Sequence, residues 1–288
     1  MALDYQTLKN WRFAETSQTF TRRDTILYAL GLGFGSDPGD ANQLRFVYER
    51  GLRTVPTMGA ILATAAGWVL DLKAGIDLAK LLHGEQSLIL HRPLPVEGTV
   101  IGRGRMIEIY DKGAGKAALA YFACDLSDAA SGDLLCTSTI GFFVRGEGGF
   151  GGPDGPGAKP PAIPERPAEE IVDIATLPQQ ALIYRLSGDL NPLHADPKMA
   201  AAAGFPRPIL HGMCTYGIAG RVILTRLCAG DPARLKRLDA RFSAPVFPGE
   251  TVRTEIWRER DGTALFRSKV LERDTVVLTN GYAEINPS

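Results

Sequence analysis

An α+β fold is predicted, built from two copies of one unit: an antiparallel sheet wrapped around a long buried helix. Three observations predict it. Sequence recurs between the halves, with RTVPTMGAIL from Arg53 answered by RPILHGMCTY from Arg207. Each half has a Pro-and-Gly turn, RPLPVEGTV from Arg92 and RFSAPVFPGETV from Arg241, followed by alternating apolar and polar residues. Period-2 alternation over such lengths argues antiparallel strands. Upstream of each turn lies one long segment that is apolar on most faces.

In chain order, the first long helix is expected at Pro56 to Leu72, PTMGAILATAAGWVLDL, and the second at His211 to Leu227, HGMCTYGIAGRVILTRL. A helix apolar all round is a buried one, and its Gly and Ala residues permit close approach to a sheet. The strands are expected in VIGRGRMIEIY and AALAYFACDL of the first half, and in TVRTEIWRE and LFRSKVLE of the second. A buried helix followed by strands that wrap it, done twice, is the outline of a double hot-dog fold. The Gly- and Pro-rich run 146–167, GEGGFGGPDGPGAKPPAIPERP, reads as a linker. The expected organisation is a first unit at 1–148, a linker at 149–167 and a second unit at 168–288. A short helix should precede the second long one, with Asp196 as its cap, Pro197 in its first turn and Gly204 at its end. Pro192 disfavours helical geometry at Asn191, so residues 189–194 are expected to form a loop.

The chain has 288 residues and a formal net charge of zero. That gives ample material for a core and no electrostatic footprint for nucleic acid. No run approaches the ~20 apolar residues of a membrane span. The N-terminus has no apolar signal core and the C-terminus, INPS, is not a Ser-Lys-Leu signal, so a cytoplasmic place is expected. Cys124, Cys136, Cys214 and Cys228 form no CxxC pair and read as buried reduced thiols. The glycines of GLGFG at 31–35 have the wrong spacing for a nucleotide loop.

The informative stretch is YRLSGDLNPLHADP, residues 184–197. Asp189, Asn191 and His194 lie within six residues of expected loop. Aligning Tyr28 with Tyr184 sets Asp189 against Gly33 and Asn191 against Gly35; aligning the helix entries sets His211 against Thr57 and Gly212 against Met58. The first half shares the scaffold and lacks the polar loop. A scaffold requirement would recur in both halves, which favours chemistry for these three residues. A carboxylate and an imidazole in one cleft can exchange protons with water and substrate, and Asn191 offers an amide to orient a partner. Gly212, at the start of a buried helix, presents a backbone N–H that could face a substrate oxygen as an oxyanion hole. Such a set suits addition of water across a double bond conjugated to a carbonyl. A loop-stabilising Asp189–His194 pair is the plain alternative. Zinc on Asp189, His194 and His211 matches no common ligand spacing, so no metal is expected. His211 reads as structural.

YRLSGDLNPLHADP followed by GFPRPILHGMCTYG resembles the signature of the hydratase 2 group of the MaoC-like dehydratases. YALGLG, LLHGEQSLILHRPLP, YDKGAG, IYRLSGD and ARFSAPVFPGETV extend the resemblance over nearly the whole chain. It implies cofactor-free, reversible hydration of (2E)-enoyl-CoA to (3R)-3-hydroxyacyl-CoA. Asp189, Asn191, His194 and Gly212 would be the catalytic set, and the first half, without its loop, would make room for a long acyl chain. Substrate contacts would come from the run Asp189, Leu190, Asn191, Pro192, Leu193 and His194, with Gly212, His83, Gly84, Lys112 and Phe242. His83 could instead lie in an ordinary turn, Lys112 on a solvated hairpin and Phe242 in the core. The resemblance also implies a homodimer. A hot-dog acyl-CoA thioesterase and a non-catalytic acyl-CoA binding module are the other readings.

Overall fold

Ten strands share one continuous antiparallel sheet whose order is nearly a palindrome. The computed structural model describes residues 4–71, 76–77, 80–156 and 161–286. The first half supplies β1 (Thr16–Phe20), β2 (Leu81–Leu90), β3 (Gly98–Asp111), β4 (Ala118–Asp128) and β5 (Leu134–Val144). The second supplies β6 (Glu170–Ala175), β7 (Leu235–Phe242), β8 (Thr251–Arg258), β9 (Thr263–Val270) and β10 (Thr275–Ile285). The order is β1-β3-β4-β5-β2-β7-β10-β9-β8-β6. Counted within its own half, β6 corresponds to β1 and β7 to β2, so each half repeats one topology about a central seam. There Glu85 to Ile89 of β2 pair antiparallel with Arg241 to Arg237 of β7. This is the double hot-dog arrangement, with its two sheets fused edge to edge.

The α-helices are α1 (Tyr5–Lys9), α2 (Arg22–Gly31), α3 (Ala41–Leu44), α4 (Gln180–Tyr184), α5 (Pro197–Ala202) and α6 (Gly212–Arg226). Among the described residues, no helix is long and apolar enough to cross a membrane, and α6 is the longest. It lies where the sequence places it, buried from Cys214 to Leu224. Its glycines let it touch the first half. A Cβ on Gly217 would stand 2.5 Å from a Leu32 methyl, and one on Gly220 would stand 2.6 Å from the Thr57 methyl. Tyr216 O–H donates to the Leu238 carbonyl at 2.8 Å, pinning the helix to β7.

The first long helix is not formed. Pro56–Ala60 and Ala65–Leu70 are short 3₁₀ turns, and Leu72 lies outside the described residues. Between the turns Ala63 adopts a left-handed φ of 42°. Its N–H donates to Gln18 Oε1 and its carbonyl accepts from Thr16 Oγ1. Backbone groups that a helix would bond internally are therefore spent on β1, and Thr57, Gly59, Thr64 and Gly67 give a helix little propensity to resist this. One helix thus serves both half-sheets.

The short helix forms as expected. Asp196 Oδ1 accepts from Lys198 N–H, Pro197 opens α5, and Gly204 follows its end with φ 84°. The Gly/Pro-rich run is fastened to the β3–β4 hairpin, where Asp111 accepts from the N–H groups of Gly149 and Gly151.

Gly217→Val is expected to cost roughly 1–3 kcal/mol, because branched bulk must displace Leu32 and Tyr28 from a filled core. Urea denaturation measures it; an unchanged midpoint and slope would refute this account of α6 packing.

Candidate active site

The catalytic-loop candidate connects α4 to α5. Gly188 turns the chain at φ 125°, and a 3₁₀ turn, Pro192–His194, closes the loop. Two side chains shape it from within. Asp189 Oδ1 accepts from Asn191 N–H at 3.1 Å, and Asn191 Oδ1 accepts from Leu193 N–H at 3.0 Å. Asn191 therefore caps the turn that presents His194, and its carbonyl oxygen is engaged by backbone. Leu190 is 61% exposed, while Asp189, Asn191 and Pro192 are also exposed and Leu193 is half-buried.

His194 is buried, with Nδ1 2.9 Å from the Ile209 carbonyl. A carbonyl only accepts, so Nδ1 carries the proton and the Nε2 lone pair is left free. Burial holds the imidazole below its usual pKa; the Ile209 bond and the field of Asp189 oppose this less strongly. His194 is thus neutral at pH 7 with Nε2 as a proton acceptor. An oxygen of Asp189, a ring nitrogen of His194 and a ring nitrogen of His211 lie within 4.8 Å of one another.

His211 is 1% exposed. It is the residue before α6, its Nε2–H donates to the Asp189 carbonyl at 3.1 Å, and its ring stacks on His194 with centroids 3.7 Å apart and planes 27° apart. Burial, then the neighbouring His194, push it down to about 4. The stack argues against a metal. In-plane lone pairs on nearly parallel rings run side by side, whereas zinc at ~2.0–2.1 Å from two imidazoles needs them to converge.

Gly212 opens α6 and is exposed. Cys214 and Thr215 N–H close back on the His211 carbonyl, so the Gly212 N–H belongs to the group that has no intrahelical acceptor. Phe242 borders it: a Cβ on Gly212 would stand 3.3 Å from that ring. Phe242 in turn carries the His83 ring edge-on at 4.8 Å. Gly212, Phe242 and His83 thus form one contiguous wall, joining α6, β7 and β2.

His83 lies in β2 and not in a turn. Its approach to the wall depends on a bulge, since His83 faces Phe142 of β5 while Glu85 faces the adjacent Gly141. Gly84 is the extra residue, and it shifts the alternation by one, turning His83 to the face of Gln86 and Leu88. Burial takes His83 down to about 4, and its Nε2 is enclosed without a protein partner. Lys112 sits elsewhere in its bonding: Nζ donates to Asp154 at 3.0 Å and to the Gly155 carbonyl at 3.1 Å. Those partners are in the Gly/Pro-rich run, so the lysine is engaged with protein.

In the first half the corresponding loop carries no such groups. Gly33 and Gly35 take φ of 81° and 80°, and the buried Arg221 guanidinium reaches the Leu32 carbonyl, Ser36 and Gln43. A Cβ on Gly33 would stand 2.8 Å from that guanidinium. The space beside this loop is filled by an α6 side chain. The aligned pairs still meet as pairs: Tyr28 O–H donates to Thr57 at 3.0 Å, and Tyr184 packs on His211 at 5.1 Å.

The sequence missed His211 as a member of the site and Arg185 as a brace of its loop, where Arg185 Nη2 donates to the Leu190 carbonyl at 3.0 Å. The one signal for His211 was its place immediately before Gly212.

Fold and site together define a double hot-dog protein that brings a carboxylate and two imidazoles together beside its long helix. The MaoC-like domain pattern matches residues 159–281, and the MFE-2 hydratase 2 N-terminal domain pattern matches residues 18–146. The chain is 42% identical over 297 residues to a probable enoyl-CoA hydratase 2 of Dictyostelium discoideum, covering 100% of this chain and 98% of that protein. It is 39% identical over 295 residues to a peroxisomal enoyl-CoA hydratase 2 of Arabidopsis thaliana, covering 95% and 93%. The crystal structure of a MaoC-like dehydratase from Phytophthora capsici superposes with a TM-score of 0.86 at 34% identity, covering 98% and 99%. The chain belongs to the hydratase 2 group of the MaoC-like family.

The buried histidines fix how stability depends on pH. His83 and His211 are depressed from 6.5 to about 4. Between those values the unfolded chain binds protons that the folded chain excludes, so stability rises with pH through this window and is lost on acidification. Urea midpoints at pH 7.5 and pH 5 should show the loss, and His83→Phe should make the dependence shallower; an unaltered pH slope would contradict the burial.

Proposed function

We propose that the chain reversibly hydrates (2E)-enoyl-CoA to (3R)-3-hydroxyacyl-CoA, with Asp189 and His194 acting on water and Gly212 N–H on the thioester oxygen. The observation that carries this reading is the grouping of an exposed carboxylate and a neutral imidazole with a free Nε2 around His211, the residue that precedes the exposed start of α6. The hydratase names of the family relatives support the acyl-CoA substrate class, and the family resemblance alone supplies the (3R) configuration.

The chemistry needs no further group. Water held between Asp189 and His194 Nε2 attacks C3 of the enoyl thioester. The C3–O bond forms as His194 Nε2 takes a water proton, while Asp189 accepts the other O–H and balances the imidazolium. The electron pair of C2=C3 moves onto the thioester oxygen. There the Gly212 N–H and the positive end of α6 stabilise the enolate; one such donor is worth about 2.7–4 kcal/mol. The imidazolium then returns its proton to C2, and the site regains its starting charges. Asn191 holds the loop in shape. His83, Gly84 and Phe242 would wall the thioester and pantetheine side of the cleft, with Leu190, Pro192 and Leu193 at its mouth. Lys112 would meet a coenzyme A phosphate only after leaving Asp154.

A homodimer and a cytoplasmic place complete the proposal. Light scattering reads the first, as a mass twice the chain's 31.1 kDa. A fluorescent fusion tests the second, with a peroxisomal signal as the contrary result, since the Arabidopsis relative carries that location in its name.

With crotonyl-CoA and decenoyl-CoA, the conjugated enoyl-thioester absorbance should fall without release of free thiol. Thiol release would mean a thioesterase, and binding with neither change would mean a non-catalytic module. Asp189→Asn and His194→Gln should each lower kcat by at least ~10². Near-normal turnover in either variant removes the residue from its role, and chiral analysis giving the (3S) product overturns the stereochemistry.

The pH profile of kcat/KM offers a separate check. His194 must be neutral to accept a proton, and burial lowers its pKa from 6.5. Activity should therefore hold as pH falls to 6.5 and decline only below it; an acid limb centred above 6.5 would exclude His194 Nε2 as the acceptor.

A further inference from the structure

The backbone of Asp189 and the ring of His194 are both held by one residue that lies outside the loop. We propose that His211 is a positioning residue for hydration, setting the distance between the Asp189 carboxylate and the His194 imidazole. This inference rests on the hydratase reading above.

Asp189 is exposed and sits in irregular chain, where its side chain turns the loop through Asn191 N–H and its own carbonyl is bonded from outside the loop. The two carbonyls at this point are both held from outside. His211 Nε2–H donates to Asp189 O at 3.1 Å, and Arg185 Nη2 donates to Leu190 O at 3.0 Å. The His211 bond is the one at the catalytic residue. Its donor comes from the residue that immediately precedes the buried helix α6, so the Asp189 backbone is referenced to the start of α6.

His194 is referenced to the same ring. Ile209 O fixes its Nδ1, which leaves the imidazole free to swing about that bond. Stacking at 3.7 Å on His211 supplies the second constraint. Two groups located from one rigid ring keep a constant separation even as the exposed loop moves, and small errors in such a separation are costly to catalysis. Gly212, the proposed donor to the thioester oxygen, is the next residue. All three participants in the chemistry are therefore tied to one peptide of α6.

The role requires a neutral ring with its proton on Nε2. The groups around it are Tyr184 on α4, His194 and Asp189 in the loop, and Arg185 between them. Together with burial, the imidazole of His194 and the guanidinium of Arg185 disfavour a charge on His211, as does the positive end of α6. Thr57, at the corresponding position of the first half, bonds Tyr28 and carries no ring; there the paired loop has nothing catalytic to hold.

The test exploits side-chain length. In His211→Gln an amide nitrogen reaches the place of Nε2 and can donate to Asp189 O. In His211→Asn it reaches only the place of Nδ1. Both variants are small polar replacements, so a difference between them does not arise from folding alone, and thermal melts confirm that each is folded. On crotonyl-CoA, His211→Asn should lose at least about tenfold in kcat with KM within about twofold, whereas His211→Gln should recover most of that loss. His211→Phe keeps a flat ring for His194 and removes the donor; it should resemble His211→Asn in kcat. Equal kcat values for folded Gln and Asn variants would overturn the proposal, as would a folded Phe variant within about twofold of wild type. A loss confined to KM would also overturn it, since that would place His211 in substrate binding. If wild-type protein fails to hydrate any enoyl-CoA, the hydratase reading itself fails and takes this inference with it; a hydrating wild type with indifferent His211 variants sinks the inference alone.

Discussion

The pairing of β2 with β7 is the interaction on which the rest of the molecule depends. Those five rungs, Glu85 with Arg241 through Ile89 with Arg237, are the backbone ladder that makes one sheet of two. They also decide which residues share a face beside α6. Phe242 lies at the end of the paired stretch of β7, and His83 lies just past it on β2. The Gly84 bulge then rotates His83 inward to meet Phe242. A slip of one residue in this register would leave the two rings on opposite faces of the sheet. The wall beside Gly212 would be gone, with the strands still able to pair.

Fusing two units creates a scaffold with symmetry in its sheet and asymmetry in its centre. One helix fills the space that two would occupy. α6 touches Leu32, Tyr28 and Thr57 of the first half through Gly217 and Gly220, and it sends Arg221 into the glycine-rich loop there. In the first half, packing against α6 stands where the second half has a polar loop. Among the described residues, the carboxylate and imidazoles gather on one side of the pseudo-symmetric body, at the N-terminal end of the long helix α6.

Electrostatically, the site separates a charged group from neutral ones by depth. The carboxylate of Asp189 is exposed on the loop, whereas His194 and His211 are buried and held below their usual pKa. Stacked imidazoles tolerate this contact only while at most one is charged. In the proposed reaction, protonating His194 therefore requires its neighbour to remain neutral, and the start of α6 together with Arg185 favours that state. Keeping both rings neutral at rest leaves the Nε2 lone pair available, at the expense of stability in acid.

Local information in the chain determined a good deal. Asp196, Pro197 and Gly204 specify α5 through caps and turn geometry that need no distant partner, and the apolar run after His211 specifies α6 because no polar face interrupts it. The loop of Asp189, Asn191 and His194 was legible because the first half supplies its own comparison. Tertiary structure alone decided the remainder. The segment after Pro56 has the composition of a buried helix, yet Thr16 and Gln18 capture the backbone of Ala63 and break it. His83 owes its direction to a bulge whose extra residue is visible only against β5. Lys112 finds Asp154 because the Gly/Pro-rich run folds back over its hairpin. His211 looked structural because its partners, a carbonyl and a ring, are not written in its own neighbourhood. Caps, turns and periodicity act within a few residues, and one sequence can fix them; a strand's register, a side chain's partner and the distance between two catalytic groups are set by segments far apart in the chain, and only packing brings those together.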